Sequence, residues 1–224
     1  MRHVRRTSFG QRLVEMLEVV CALSMLAPAL SAAATQEDKT QFSATPGLLT
    51  FQTAPALPTL SSITLNGEAQ TTNATMMPFV VADATGSGSG WNLTVEGQSG
   101  IGKSPVFAQY CPKAKCGSDS EGYVAGGQTL TADSLTLNST GASFLAQLGT
   151  TGTAPTLQCS TACDVDHGSA VKIASAAKEA GLGTWLTTGF SATSLALTTP
   201  ASLQLLPSEE VYRVNEIWSL TSGP

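Results

Sequence analysis

The 224-residue chain is 42% apolar and 12% charged, with a formal net charge of −5. Such a chain can bury one sizeable hydrophobic core, and its low charge argues against intrinsic disorder. Its few basic residues form no patch that would neutralise a nucleic-acid backbone or attract an anionic membrane.

The first predicted element is an export signal over residues 1–34. Four arginines come first, a 12-residue apolar run follows at Val19–Leu30, and small residues come next in LSAAAT. This order is typical of a secretory signal peptide cleaved near residues 32–34, and the run is shorter than the about 20 residues of a membrane span. An amphipathic N-terminal helix is the alternative. Cleavage would leave residues 35–224 as one secreted domain with a net charge of −7 and no transmembrane segment.

Short runs of β-branched and aromatic residues fill that domain, separated by Gly, Pro, Asn, Asp and Ser. They are GLLTFQ, LSSITLNGE, MPFVVADAT, WNLTVEGQ, GGQTLTA, SLTLNST, FSATSLALTTP and VYRVNEIWSLTSGP. Such spacing favours an all-β fold, an antiparallel sandwich or a barrel-like sheet. Asn66–Glu68 and Ala84–Gly90 are the strongest turn signals. The alanine-rich segment Ser169–Thr184 predicts a turn or one short helix ending at Gly181.

Four cysteines lie in the middle of the domain, within CPKAKC and CSTAC: Cys111, Cys116, Cys159 and Cys163. An even number in an exported chain predicts two disulfides, for which the two local pairs are the simplest of three connectivities. Cross-pairing, which would join two loops, and a four-thiolate zinc site are the alternatives. Residues 99–168 are rich in turn residues and predict a cysteine-bearing loop insertion, with long loops in PKAKCGSDSEG and TTGTAPTLQCSTACDVDHG.

Candidate catalytic and metal-binding groups are few. His167 is the one histidine after the predicted signal, and the chain has no GxSxG turn, so a Ser/His/Asp hydrolase has little support. Asp164 and Asp166 in DVDHG resemble the opening of a calcium loop without its later ligands. They are weak metal candidates, and a solvated acidic turn is the preferred interpretation. No cofactor is expected.

Two tryptophan strands share one pattern. Trp91 and Leu93 alternate with polar residues in GSGSGWNLTVEG, and Trp218 and Leu220 do so in VYRVNEIWSLTSGP. Because side chains alternate across a strand, each tryptophan shares a sheet face with the leucine two positions later. Burial of both tryptophans in a core is therefore the preferred interpretation.

The alternative is that these tryptophans offer aromatic faces to sugar rings. In that case Asn92 and Asn215 are the candidate hydrogen-bonding neighbours of the ligand. Trp185, which lies beside a glycine turn in GTWLTTGF, is the better candidate for an exposed aromatic that contacts a ligand.

The chain resembles the WxL-domain family of exported bacterial surface proteins, named for two Trp-x-Leu motifs. LTF…SITLNG…FVVADATGSGSGWNLTVEG is similar to the first block of the family, and KIASAAKEAGLGTW…LALTTPASLQLLPSEEVYRVNEIWSLTSGP is similar to its C-terminal block. The cysteine-bearing middle and the approach SLQLLPSEEVYRV depart from the family pattern. The resemblance implies non-covalent attachment to peptidoglycan of the Gram-positive cell wall, often alongside other surface proteins.

We therefore expect a secreted, non-catalytic protein that associates with peptidoglycan or with a partner on the cell surface. The chain has no LPxTG-like sorting signal, so no covalent anchor is expected. A structural subunit of a surface complex or fibre, joined through open sheet edges, is the first alternative. A secreted hydrolase with two carboxylates is the second, because such pairs have no spacing signature.

Overall fold

The computed structural model describes residues 39–207 and 209–223. The predicted signal peptide therefore lies outside the described residues. The chain divides into a unit of residues 1–43 and a unit of residues 44–224. In the first unit, residues 39–43 are exposed and have no regular secondary structure. No helix in the described ranges is long and apolar enough to cross a membrane.

Fifteen strands lie in the described part of the second unit. They are β1 (Leu49–Thr53), β2 (Gln70–Ala74), β3 (Val80–Asp83), β4 (Trp91–Gly97), β5 (Ala108–Cys116), β6 (Asp119–Tyr123), β7 (Leu135–Leu137), β8 (Ser143–Gln147), β9 (Thr156–Leu157), β10 (Cys163–Asp164), β11 (Val171–Ala176), β12 (Gly183–Thr188), β13 (Leu195–Thr199), β14 (Val211–Arg213) and β15 (Glu216–Ser222). They form four open antiparallel sheets, ordered β1-β3-β12-β8, β10-β7-β13-β2, β15-β4-β11-β9 and β14-β5-β6. The predicted all-β, sandwich-like fold is confirmed.

Two of the four-stranded sheets form what we call the central sandwich: β1-β3-β12-β8 and β15-β4-β11-β9. Edge strand β1 lies next to β15, and edge strand β8 next to β9. Aromatic rings join the two layers, since Trp91 of β4 meets Phe144 of β8 edge to face at 6.0 Å and Phe79 meets Phe144 at 6.1 Å. This perpendicular arrangement is favourable because ring edges are positive and ring faces negative.

The other two sheets extend the same core. Four buried leucines come from neighbouring strands β7 and β13: Leu135, Leu137, Leu195 and Leu197. Phe107 and Leu130 lie beside the three-stranded sheet, and the Leu130 amide donates to the Phe107 carbonyl at 2.8 Å. One contiguous hydrophobic core therefore runs through all four sheets.

The alanine-rich segment forms no helix, so that part of the prediction is wrong. Residues 171–176 are strand β11, and a turn over residues 177–182 leads into β12. Ala174 and Ala176 are fully buried beside β4, opposite Leu93 and Trp91. Tertiary packing here overrides the high intrinsic helix propensity of alanine.

Other boundaries also differ from the prediction. LSSITLNGE is irregular, with strand β2 beginning only at Gln70, and GGQTLTA contributes a single bridge between Thr129 and Ala108. PKAKCGSDSEG belongs to the β5–β6 hairpin and is not a long loop. TTGTAPTLQCSTACDVDHG is mostly irregular, with the two-residue strands β9 and β10. That residues 99–168 are an insertion stays a prediction.

Candidate functional site

The two Trp-x-Leu motifs lie side by side. Strands β4 and β15 pair antiparallel along their whole length, with Leu93 opposite Leu220 and Val95 opposite Trp218. Trp91 and Leu93 are fully buried, whereas Trp218 and Leu220 are half-buried against the same core. Both motifs therefore face inward, as the alternation pattern predicts.

The glycine-rich turn positions Trp91 closely. Its indole Nε1 donates to the Gly181 carbonyl at 3.3 Å. Gly90 and Gly181 have φ values of 76° and 72°, a left-handed conformation that favours glycine. Before Gly90, hydroxyl groups of Thr85, Ser87 and Ser89 form a chain of hydrogen bonds that begins at the Asp83 carboxylate. Hydrogen bonds among its own side chains thus stabilise the turn, which positions the Trp91 indole.

Trp185 is buried, with 3% of its surface exposed, so the prediction of an exposed aromatic is wrong. It lies on β12, an interior strand between β3 and β8, and its Nε1 donates to the Leu182 carbonyl at 3.0 Å. The glycine turn that suggested exposure ends before Gly183, where the strand enters the sheet. Trp185 therefore has no free face for a ligand.

Asn92 and Asn215 lie at opposite ends of the β4–β15 ladder. Asn92 Nδ2 donates to the Gly223 carbonyl at 2.7 Å, and Asn215 Oδ1 accepts from the Tyr123 hydroxyl at 2.6 Å. Asn92 thus fastens the end of the C-terminal strand to β4, whereas Asn215, just before β15, is joined to β6 of the three-stranded sheet. The structure does not bring these two amides together.

The four cysteines form the two local disulfides, Cys111–Cys116 and Cys159–Cys163. The predicted local pairing is confirmed, and neither the cross-paired nor the zinc-bound alternative is formed. In the described ranges, no three His, Cys, Asp or Glu side chains are grouped as metal ligands. The first disulfide spans an irregularity in β5, between Cys111 and Lys115, where the register with β6 shifts.

Asp164 and Asp166 lie in different environments, because strand β10 ends at Asp164 and the chain bends at Asp166. Asp164 is exposed, whereas Asp166 is fully buried and accepts backbone hydrogen bonds from Ser134 and Leu135, at 3.2 and 2.9 Å. Burial raises the pKa of Asp166 to about 6, against the opposing effect of these hydrogen bonds. The solvated turn predicted here is therefore wrong for Asp166, which satisfies two amides inside the core.

Glu216 is a buried carboxyl that the sequence analysis missed. Both of its carboxyl oxygens are inaccessible and lack a hydrogen-bond partner among the described residues. Burial, with a smaller contribution from Asp166, raises the pKa of Glu216 to about 8, so the side chain is mostly protonated at neutral pH. The burial of Glu216 could have been predicted, because the alternation of β15 places Glu216 on the same face as Trp218.

A groove of about 760 Å³, which we call the Tyr110 groove, lies on the surface of the domain. It lies between residues 57–65 and the β14-β5-β6 sheet, and leucine side chains line much of it. Its volume is typical of a small-ligand site. Pro112 also lines it, so the groove lies beside the first disulfide.

Aromatic and charged groups meet in this groove. The Arg213 guanidinium lies 4.4 Å from the centroid of the Tyr110 ring, a cation–π contact. Tyr212 lines the groove and donates its hydroxyl to the Gln204 carbonyl at 2.9 Å. Glu210 accepts from Gln109 through Oε2, while its Oε1 is buried without a partner among the described residues. Aromatic faces beside hydrogen-bonding groups suit a sugar ring, which is apolar on its faces and polar at its edge.

No sequence motif predicts this groove. Tyr110 and Arg213 come from β5 and β14, which pair with each other although about one hundred residues separate them in the chain. The VYR run was recognised only as part of a tryptophan strand. Long-range strand pairing, which one sequence does not reveal, builds the groove.

A family model described as "WxL domain surface cell wall-binding" matches residues 49–224. The matched range includes both tryptophan strands, both disulfides and the Tyr110 groove. No curated protein and no solved structure matches the chain.

Proposed function

Because this match covers most of its length, the chain belongs to the WxL domain family of surface cell wall-binding proteins, and we propose that it is a secreted, non-catalytic protein attached non-covalently to peptidoglycan. The single observation that carries the proposal is the family match over residues 49–224. Attachment to the wall places the protein at the cell surface.

The Tyr110 groove is the proposed contact for the wall polymer. Trp91 and Trp185 are buried, so neither can stack on a sugar. Tyr110 and Tyr212 are half-buried, and the Arg213 side chain is exposed beside them. These three residues support an assignment in which a ring packs on tyrosine and the guanidinium bonds to hydroxyl or carboxylate groups of the polymer.

The carboxylates support a binding role without catalysis. Hydrolysis of a glycosidic bond generally uses two carboxyl groups placed on either side of it. Among the residues that the structure describes, Glu210 is the one acidic side chain that lines the Tyr110 groove. Asp166 and Glu216, whose pKa values are raised by burial, lie outside that lining.

Co-sedimentation with purified peptidoglycan tests this function. We expect the full-length protein to pellet with peptidoglycan in a saturable manner and to remain in solution with cellulose, an unrelated insoluble polysaccharide. Protein that stays in the supernatant with peptidoglycan, or pellets equally with both polymers, would sink the proposal.

A further inference from the structure

Strand β15 is an edge strand of its own sheet, and edge strand β1 of the other layer lies next to it without pairing with it. It pairs with β4 alone among the described strands, in unbroken register from Glu216 opposite Gly97 to Ser222 opposite Trp91. With seven residues it is the longest of the described edge strands. A long, regular edge is a template for another strand, because its outward amides and carbonyls have no ladder partner.

The register shows which backbone groups point outward. Gly223 donates to the Gly90 carbonyl at 2.9 Å, and Asn215 accepts from Gln98 at 2.7 Å, so odd-numbered residues bond to the β4 side. Residues of an antiparallel strand alternate between bonding to one side and to the other. The even-numbered residues of β15 therefore direct their N–H and C=O groups away from β4: Glu216, Trp218, Leu220 and Ser222.

The side chains on the outer face do not protect this edge. Ile217 is 38% exposed, Thr221 is exposed, and Ser219 between them is half-buried. None is charged, and residues 216–222 contain no proline and no bulge. Lysine, proline and bulges are the usual devices that keep an edge strand from pairing.

The edge is complementary to itself. If two β15 strands meet antiparallel about a two-fold axis at Ser219, the outward-bonding residues face one another: Trp218 opposite Leu220 of the second copy, and Glu216 opposite Ser222. Four such pairs supply about eight hydrogen bonds. On the outer face, Ile217 lies next to Thr221 of the second copy, a favourable pair of β-branched residues without charge repulsion.

We propose that the occupant of this edge is a second copy of the chain, joined through β15 in a two-fold symmetric dimer centred on Ser219. The contact is isologous, so it closes after two copies and does not grow into a fibre. The two sheets become one continuous eight-stranded sheet. This inference does not depend on wall binding.

Cysteine cross-linking tests the register in the full-length chain, with Cys21 replaced by serine in every variant. In the dimer, position 219 faces itself in a non-hydrogen-bonded pair with Cα atoms about 4.5 Å apart, which is within disulfide range. Position 221 is about 13 Å from its own counterpart, four residues along the strand. We therefore expect Ser219→Cys to give covalent dimer under mild oxidation, while the matched control Thr221→Cys remains monomeric on a non-reducing gel. Equal cross-linking of both variants, or of neither, overturns the proposal.

Light scattering measures the same dimer without a cross-link. We expect the wild-type protein to have twice the monomer mass at about 100 µM. This concentration is well above the micromolar dissociation constants of modest interfaces. Ser219→Lys places two like charges at the axis and should restore the monomer mass, whereas Thr198→Lys, at an exposed position of interior strand β13, should leave the dimer intact. A monomeric wild type, or an edge occupied only by a strand of a different protein, overturns the proposal.

Discussion

At the scale of single residues, position in the sheet decides how far a predicted core side chain is buried. Trp91 and Trp218 have the same alternation pattern, yet Trp91 is fully buried and Trp218 half-buried. Strand β4 lies between β15 and β11, whereas β15 is an edge strand. Alternation predicts the face on which a side chain lies, but the number of flanking strands sets its exposure. Whether a strand lies at the edge or in the interior of a sheet cannot be predicted from this sequence.

The buried carboxyl of Glu216 predicts a pH-dependent stability. Its pKa is raised from 4.5 to about 8, so the folded state holds a proton that the unfolded chain releases. The free energy of unfolding should therefore be largest below about pH 4.5 and fall as the pH rises to about 8, by at most about 5 kcal/mol. Urea titrations between pH 4 and pH 9 measure this decrease.

A matched pair of substitutions assigns that decrease. Asp166, whose pKa is raised to about 6, contributes in the same direction only at lower pH. Glu216→Gln should therefore abolish the slope between pH 6 and pH 8 and reduce the slope below pH 6 to the part that Asp166 contributes, while the exposed Glu121→Gln should change neither. A Glu216→Gln protein with the wild-type slope between pH 6 and pH 8 would contradict the assignment.

At the scale of strands and turns, strands with apolar inner faces were predicted from the sequence, and strands without them were missed. Strands β1, β3, β4, β13 and β15 were found because apolar or β-branched side chains fill their inner faces. Strand β2 is the polar run QTTNA, and the β5–β6 hairpin is rich in lysine and serine, so neither has that signal. The segment that forms β11 was predicted to be a turn or a short helix because alanine, buried here beside β4, is also the best helix former.

The turn between β11 and β12 gives a test of that packing. A Cβ atom at Gly181 would lie 2.6 Å from Trp91 Nε1 and closer still to the Ala176 Cβ, at a φ of 72°. Gly181→Ala combines backbone strain with overpacking and should lower the free energy of unfolding by about 2–4 kcal/mol.

Gly67→Ala is the matched control. It has a similar φ of 80°, but a Cβ there meets nothing within 4 Å, so the loss should be only about 1 kcal/mol. Denaturant unfolding followed by tryptophan fluorescence measures both variants. Equal losses would mean that contact with Trp91 contributes nothing to the cost.

At the scale of the whole molecule, the family motif and the proposed binding surface are different parts of the domain. The Trp-x-Leu strands build the central sandwich, while the Tyr110 groove is formed where the β14-β5-β6 sheet meets residues 57–65. Composition and strand spacing predicted the sandwich, and the two motifs predicted the family. The groove escaped prediction because its residues come from distant segments.

The groove leads to a prediction about wall affinity. Tyr110→Ala removes the ring that Arg213 contacts and on which a sugar would pack. It should weaken co-sedimentation with peptidoglycan about tenfold, equivalent to about 1.4 kcal/mol. Leu145→Ala, which truncates a 53% exposed side chain on edge strand β8, is the control and should bind as the wild type does. Unchanged binding by a folded Tyr110→Ala protein would place the wall contact elsewhere.

The pairing of early strands with late ones affects how the chain folds during its synthesis. Strand β2 pairs with β13, β3 with β12, and β4 with β15, so these sheets lack strands until the end of the chain has been synthesised. Pairings this distant in sequence also close slowly, because the loop entropy is lost before the contacts form. We therefore expect the nascent chain to lack a complete core through most of its synthesis, and a chain without a stable core can still thread a narrow translocation pore.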